Sequence, residues 1–207
     1  MKFYSQYNQD KWLFENYFKD KPNGFFLEIG ADDGVRNSNT KFYEELGWNG
    51  MCVEPSHARF KELVNNRSCI CENVAISDTV GEVEFMDISG WGRGLSGIVD
   101  KYDGRHKNRI QQELKHPENT GNQTITVKTD LLSNLLDKHG ITEIDFCTID
   151  TEGGELDIIK GIDFDKYGIG IILVENNYKE SNVRDFLKEK GYKLVTTLSI
   201  DDVYVKQ

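Results

Sequence analysis

The stretch FFLEIGADDG, residues 25–34, is an apolar run that breaks on a glycine, passes through two aspartates and reaches a second glycine. Such a run reads as a strand turning into a helix, as in dinucleotide-binding units, with Gly30 and Gly34 allowing a tight turn and close approach of backbone to a ligand. A pyrophosphate at such a turn needs bare backbone N–H groups and no competing anion. Asp32 and Asp33 stand in its way. The turn therefore predicts a ligand that carries no phosphate and has a cationic centre.

Working outward, further apolar runs recur at 50–54, 69–76, 144–149 and 169–175, with helix patterns between most of them. Ser56 is placed to cap a helix carrying Phe60, Leu63 and Val64. Asp130 is placed to cap one with Leu131, Leu132, Leu135 and Leu136, ending before Gly140, and Ser181 a third that ends at Gly191. Strands apolar on both faces and alternating with helices indicate a parallel sheet covered on both sides. At the C-terminus, GYKLVTTLSI and DDVYVKQ leave no room for a helix and predict a hairpin around residues 199–202, with one antiparallel strand. The expected fold class is α/β, a Rossmann-like, mostly parallel doubly wound sheet ending in an antiparallel hairpin, the outline of class I methyltransferases. Residues 1–20 read as an added amphipathic helix with Trp12, Leu13, Tyr17 and Phe18 facing the body. Residues 80–88 and 124–129 read as strands, and the polar, glycine-spotted stretch 89–123 between them reads as a loop long enough to be a substrate lid.

At 207 residues the chain fits one domain, 1–207. Its net charge of −10 argues against nucleic-acid and anionic-membrane partners and favours a small or neutral one. No apolar run reaches the roughly 20 residues of a membrane span, and MKFYSQYNQDKW lacks the apolar core of a signal peptide. A soluble, cytoplasmic protein is the expectation. The four cysteines read as reduced core or near-core residues, since none forms a Cys-x-x-Cys pair.

Glu54 ends the second run at the place where a carboxylate accepts both ribose hydroxyls of an adenosine. With the acidic turn, this points to S-adenosylmethionine, whose sulfonium and ammonium groups carry positive charge and which has no phosphate. At the ends of the fourth and fifth runs stand IDTEGGE (149–155) and VENN (174–177), which bring Asp150, Glu152, Glu175 and Asn176 to the ligand-binding edge of a parallel sheet. Three roles stay open for them: holding a hard divalent cation, acting as general base, or orienting the methionine ammonium. Asp150, Glu175 and Asn176 at successive strand ends are similar to the magnesium site of catechol-type O-methyltransferases. His106, in the basic run Arg105-His106-Lys107-Asn108-Arg109, is a further candidate base because its imidazole titrates near neutrality.

Several motifs in order, SQYNQDKWL (5–13), GFFLEIGADDGVRNSNT (24–40), LGWNGMCVEP (46–55), LSGIVDKYDGRH (95–106) and IDFCTIDTEGGELDIIKGID (144–163), resemble the FkbM methyltransferase family over nearly the whole chain. The resemblance implies an S-adenosylmethionine-dependent O-methyltransferase of small molecules or sugars. It implies cofactor contacts at Glu28, Gly30, Asp32, Glu54 and Asp150, and a segment with Gln9 and Asp10 folded over the cofactor site. A glycan hydroxyl is the first expectation for the acceptor, with Trp91 and Tyr102 as aromatic contacts. Methyl transfer from a sulfonium is an in-line displacement that asks mainly for alignment and exclusion of water, with Asp150 and Glu152, then Glu175, then His106 as candidates to take the acceptor proton. The rivals are a non-catalytic domain that binds cofactor or sugar, and an NAD-dependent oxidoreductase, against which the absent GxGxxG speaks.

Overall fold

A computed structural model describes all residues, Met1–Gln207. The strands in chain order are β1 (Phe25–Ile29), β2 (Asn49–Val53), β3 (Ile70–Glu72), β4 (Ala75–Ile76), β5 (Gly81–Gly90), β6 (Gly97–Ile98), β7 (Asn119–Asp130), β8 (Glu143–Ile149), β9 (Gly168–Glu175), β10 (Tyr192–Leu198) and β11 (Asp201–Lys206). The helices are α1 (Gln9–Leu13), α2 (Lys41–Glu45), α3 (His57–Asn66), α4 (Gly104–Glu113), α5 (Leu132–His139), α6 (Glu155–Lys160) and α7 (Asn182–Glu189). Seven strands make the main sheet in the order β10-β11-β9-β8-β1-β2-β3, and only β11 runs against its neighbours. The order reverses between β1 and β8, the switch point at which such sheets bind ligands. No helix is long and apolar enough to cross a membrane.

Both faces of the sheet are covered, which is why its strands are apolar at successive positions. Leu27, Met51, Ile149 and Ile172 pack on one face with Leu135, Leu136, Ile158, Ile159 and Leu187 from α5, α6 and α7. Phe26, Cys52, Phe146 and Leu173 pack on the other with Leu13, Phe42, Tyr43 and Leu63. Ser56 caps α3 by accepting from the Arg59 N–H at 3.4 Å. Gly140 ends α5 in the left-handed region at φ 64°, and the hairpin turns at Ser199 with φ 62°.

Several expectations need correction. Asp130 is not the cap of α5; it sits one residue earlier and accepts from Leu131 N and Asn134 Nδ2. The hydroxyl of Ser181 donates to Asp185 instead of capping α7. Residues 1–20 are not one helix: the first eight run to a bridge between Ser5 and Asn37, then α1 passes into a π-helical turn over Phe14–Phe18. Leu13 and Phe18 are buried there, whereas Tyr17 faces solvent, as does Val64 on α3.

The largest difference lies in residues 89–123. Instead of a loop, they complete a second, four-stranded sheet in the order β4-β7-β5-β6 and add α4. β5 and β7 pair antiparallel from Gly81 and Thr129 out to Gly90 and Asn119, so the polar half of β7 is a strand held by backbone pairing. On α4 the buried residues are His106 and Ile110.

Gly30 sets the geometry at the switch point. Its φ is +89°, and a Cβ built there would lie 1.8 Å from the carbonyl oxygen of Asp150. Gly30→Ala is expected to destabilise the fold by more than about 3 kcal/mol in denaturant melts, because backbone must move to admit the methyl. Gly47→Ala, at φ +93° but with nothing within 4 Å, should cost only the left-handed backbone penalty of about 1–2 kcal/mol.

Candidate functional site

Two cavities lie at the carboxyl edge of the main sheet, one past the ends of β1, β2 and β8 and the other past the ends of β8 and β9. The first, of about 970 Å³ counted out to its mouth, is bordered by Gly30, Glu54 and Asp150 at the strand ends and by Val74, Phe85 and Ile98 on the side of the second sheet. Glu28 borders it too, but its oxygens are committed. They accept from Ser38 Oγ at 2.9 Å, Thr40 Oγ1 at 2.6 Å and Asn39 N at 2.8 Å, with Arg67 Nη1 at 3.3 Å. Glu28 therefore acts as an anchor for residues 38–40. Within that segment Asn39 donates to Thr148 Oγ1 at 3.0 Å, and its own Oδ1 is buried without a partner beside the cavity.

Glu54 is buried, with one oxygen accepting from Asp32 N at 2.9 Å and the other from Ser56 N at 2.8 Å. Burial, assisted by the charge of Asp32, pushes its pKa up to about 8. Asp32 is not the free acid that the sequence suggests. Its Oδ1 takes Arg59 Nη1 at 2.9 Å and Arg93 Nη2 at 2.5 Å, while Asp33 folds back onto the N–H groups of Val35 and Arg36. Burial raises the Asp32 carboxyl, and Arg93 and Arg59 pull it back part of the way. Arg93 comes from the turn Trp91–Leu95, so this aspartate ties the second sheet to the glycine turn. Neither arginine has a spacing signal in the sequence, and the cavity wall is consequently of mixed charge.

Three further candidates lie off the cavity. Gly34, at φ +78°, gives room to Leu63 and Arg67 of the α3 region rather than to a ligand. Asp10 is fully buried and spends its carboxylate on Tyr4 N, Ser5 N, Ser5 Oγ and Lys11 N. Gln9 donates to Asp201 and accepts from Tyr7 N at 2.8 Å. Gln9 and Asp10 thus pin the N-terminal segment.

The second cavity, of about 700 Å³, lies beyond the turn 149–155 and is walled by α4, by Glu152 and Glu155, and by residues 175–183. Glu152 is held at φ 58°, and at Gly153, φ 131°, a Cβ would come within 2.8 Å of Lys101 O. Glu155 fastens the turn by accepting from the N–H groups of Thr151 and Gly153. Carboxylate oxygens of Asp150, Glu152 and Glu175 all lie within 4.8 Å of one another. Asp150 opens onto the first cavity, yet the protein around it, with the charges of Asp201 and Glu155, raises its pKa to about 7. Burial first, then neighbouring carboxylates, lifts Glu152 and Glu175 well above the ordinary range.

Asn176 stands outside this group. Its amide nitrogen donates to Glu180 O and Asp202 Oδ2, both at 2.9 Å, and its oxygen accepts from Glu180 N. His106 is buried on α4, stacked on Tyr102 with ring centroids 4.6 Å apart, and its Nδ1 is 3.4 Å from Glu152 Oε2. Burial lowers its pKa, which leaves the ring neutral near neutrality. Trp91 is half exposed and stacks on His116, whereas Tyr102 is buried and donates to Leu95 O. Neither aromatic borders either cavity.

A family model described as the methyltransferase FkbM domain matches residues 28–194. No curated protein matches the chain. Similar solved structures include M. capricolum TrmK in complex with S-adenosyl-homocysteine, at 12% identity and TM-score 0.47, covering 99% of this chain and 67% of that one. They also include the METTL16 methyltransferase domain, at 14% identity and TM-score 0.49, covering 96% and 66%. The human methyltransferase 10 domain containing protein aligns at 13% identity and TM-score 0.47, covering 96% and 80%. The chain thus spans about two thirds of the first two, and TM-scores this low add nothing on function.

The raised carboxyls have a consequence for stability. A carboxyl whose pKa is higher in the folded than in the unfolded state stabilises fully below its ordinary range, and that contribution is lost as pH rises through the folded value. For Asp150 and Glu54 the loss runs up through about 7 and about 8. Glu44 and Glu72, held below the ordinary range, act only in the acid region. Thermal melts of the ligand-free protein should therefore fall from about pH 5 to about pH 9. Glu54→Gln should flatten part of that fall, and an unchanged slope would contradict the assignment.

Proposed function

The chain belongs to the FkbM methyltransferase family and is an S-adenosylmethionine-dependent methyltransferase, and we propose that its acceptor is a hydroxyl of a sugar or glycan. The first cavity suits the cofactor. Asn39 Oδ1 is a buried acceptor with no donor, appropriate to an ammonium, and Glu54 spends one backbone donor on each oxygen and keeps lone pairs for ribose hydroxyls. Val74, Phe85 and Ile98 supply apolar wall for a purine. When bound, the cofactor supplies an electrophilic methyl on a sulfonium.

The observation that carries the reading is the position of Asp150. It borders the first cavity, while Glu152 and Glu175, within 4.8 Å of it, border the second. A proton acceptor with pKa about 7 thus lies between the two spaces. With the cofactor in place, Asp150 would take the proton that the acceptor hydroxyl loses as its oxygen gains the methyl and the sulfonium becomes a neutral thioether, and Glu152 and Glu175 would share that proton within the cluster. Three of the fifteen residues around the second cavity are hydrophobic, which favours a polar acceptor over an aromatic one.

Asp150→Asn should lower turnover by about 10²–10⁴-fold with S-adenosylhomocysteine affinity retained in calorimetry. In the parent protein kcat/KM should rise with pH through about 7, because Asp150 must lose its proton to act. Near-normal turnover of the variant would remove Asp150 from the reaction. Labelled-cofactor screening of monosaccharides, short glycans and phenols tests the acceptor, and transfer to phenols alone would refute the sugar.

A second reading is favoured by the oxygen cluster itself. Asp150, Glu152 and Glu175 would hold a hard divalent cation such as Mg²⁺, with Glu152 in the set and Asn176 outside it. A bound cation would stabilise the acceptor oxygen as its proton leaves. Chelation with EDTA should then abolish activity and Mg²⁺ restore it, and activity indifferent to chelation would exclude the cation.

A further inference from the structure

Three polar atoms around the second cavity have no hydrogen-bond partner: His106 Nε2, Glu152 Oε2 and Tyr178 Oη. His106 is 3% exposed and Glu152 7%, so water outside the cavity does not serve them. Buried polar groups left unmet are costly, and three around one space point to a ligand that meets them. We infer that this cavity is the acceptor site and that His106, Glu152 and Tyr178 read the hydroxyl groups of a neutral polyol. The inference rests on the reading that the chain methylates a hydroxyl, and it adds the place and the recognising atoms.

The chemistry of the three atoms selects the class. An imidazole nitrogen, a phenol and a carboxyl oxygen each pair with a hydroxyl, which donates and accepts through one atom. A phosphate or carboxylate would face Glu155 and Glu180, both of which border the cavity. An ammonium would meet Lys101 and Arg105 on the same wall, with Arg109 Nη1 3.7 Å from Glu152 Oε2.

The groups are also fixed in advance. Arg105 lies over the Tyr178 ring at 4.0 Å, accepted by Asp103 at 2.7 Å and by Glu180. Asn176 closes the turn that carries Tyr178. Tyr102 backs the His106 ring, and Glu152 is held in the left-handed region at φ 58°. Preorganised donors and acceptors lose little freedom on binding. The asparagine thus has a role after all, as a support for the acceptor wall.

The test uses the full chain saturated with S-adenosylhomocysteine, titrated by calorimetry and saturation-transfer NMR with methyl α-glucoside, methyl α-galactoside and methyl α-mannoside. Catechol and glucose 6-phosphate serve as aromatic and anionic probes. At least one methyl hexoside should bind, and Tyr178→Phe and His106→Phe should each weaken it roughly tenfold while S-adenosylhomocysteine affinity stays the same. The inference is overturned if no hexoside binds, if only catechol or the phosphate does, or if both variants bind the hexoside as the parent does. Methyl transfer to a non-polyol acceptor with no hexoside binding would sink this inference and leave the methyltransferase intact. Failure of S-adenosylhomocysteine itself to bind would sink the cofactor cavity with it.

Discussion

The contact between Gly30 and the Asp150 carbonyl governs the arrangement of the site. Asp150 N donates to Ile29 O at 3.0 Å, so β1 and β8 stay paired to their very ends. Only a residue without Cβ lets the chain leave β1 at φ +89° over that carbonyl. The first cavity reaches Glu54 and Asn39 on one side of the turn 149–155, and that turn carries Glu152 into the second on the other.

Electrostatics in the first cavity differ from a simple acid cradle. Reading the two aspartates as a match for a cationic ligand treats them as unpaired, whereas Asp32 answers Arg59 and Arg93 and Asp33 answers its own backbone. With Asp32 paired, repulsion of a pyrophosphate at the turn is weaker, and the groups suited to an adenosyl cofactor are Glu54 and the unmet oxygen of Asn39. Charges in a sequence are counted singly, but in a fold they are met in groups.

Features set by side-chain periodicity were legible in the sequence. The parallel sheet, the antiparallel closing hairpin, the Ser56 cap and the Gly140 terminator all follow from patterns within about 15 residues. What escaped was set by partners far along the chain. β7 begins with Asn119-Thr120-Gly121-Asn122-Gln123, which looks like a loop because its pairing with β5 is made by the backbone. Glu28 meets Arg67 across 39 residues, which turned an apparent ligand contact into an internal anchor. Asn176 sits at the expected strand end, but a local turn decides where its amide points. The acids Asp150, Glu152 and Glu175 were legible as residues at one edge; that Glu152 stands inside the group depends on its left-handed backbone, which no composition signal marks.

Strand ends of the main sheet floor the first cavity, whereas one wall of the second is made by residues 101–106, which lie between β6 and β7. Substitutions in that stretch would redraw the wall of the second cavity while the floor of the first kept its shape. The stretch before it is tethered, because Arg93 presents a guanidinium to Asp32, which would otherwise be left with Arg59 alone.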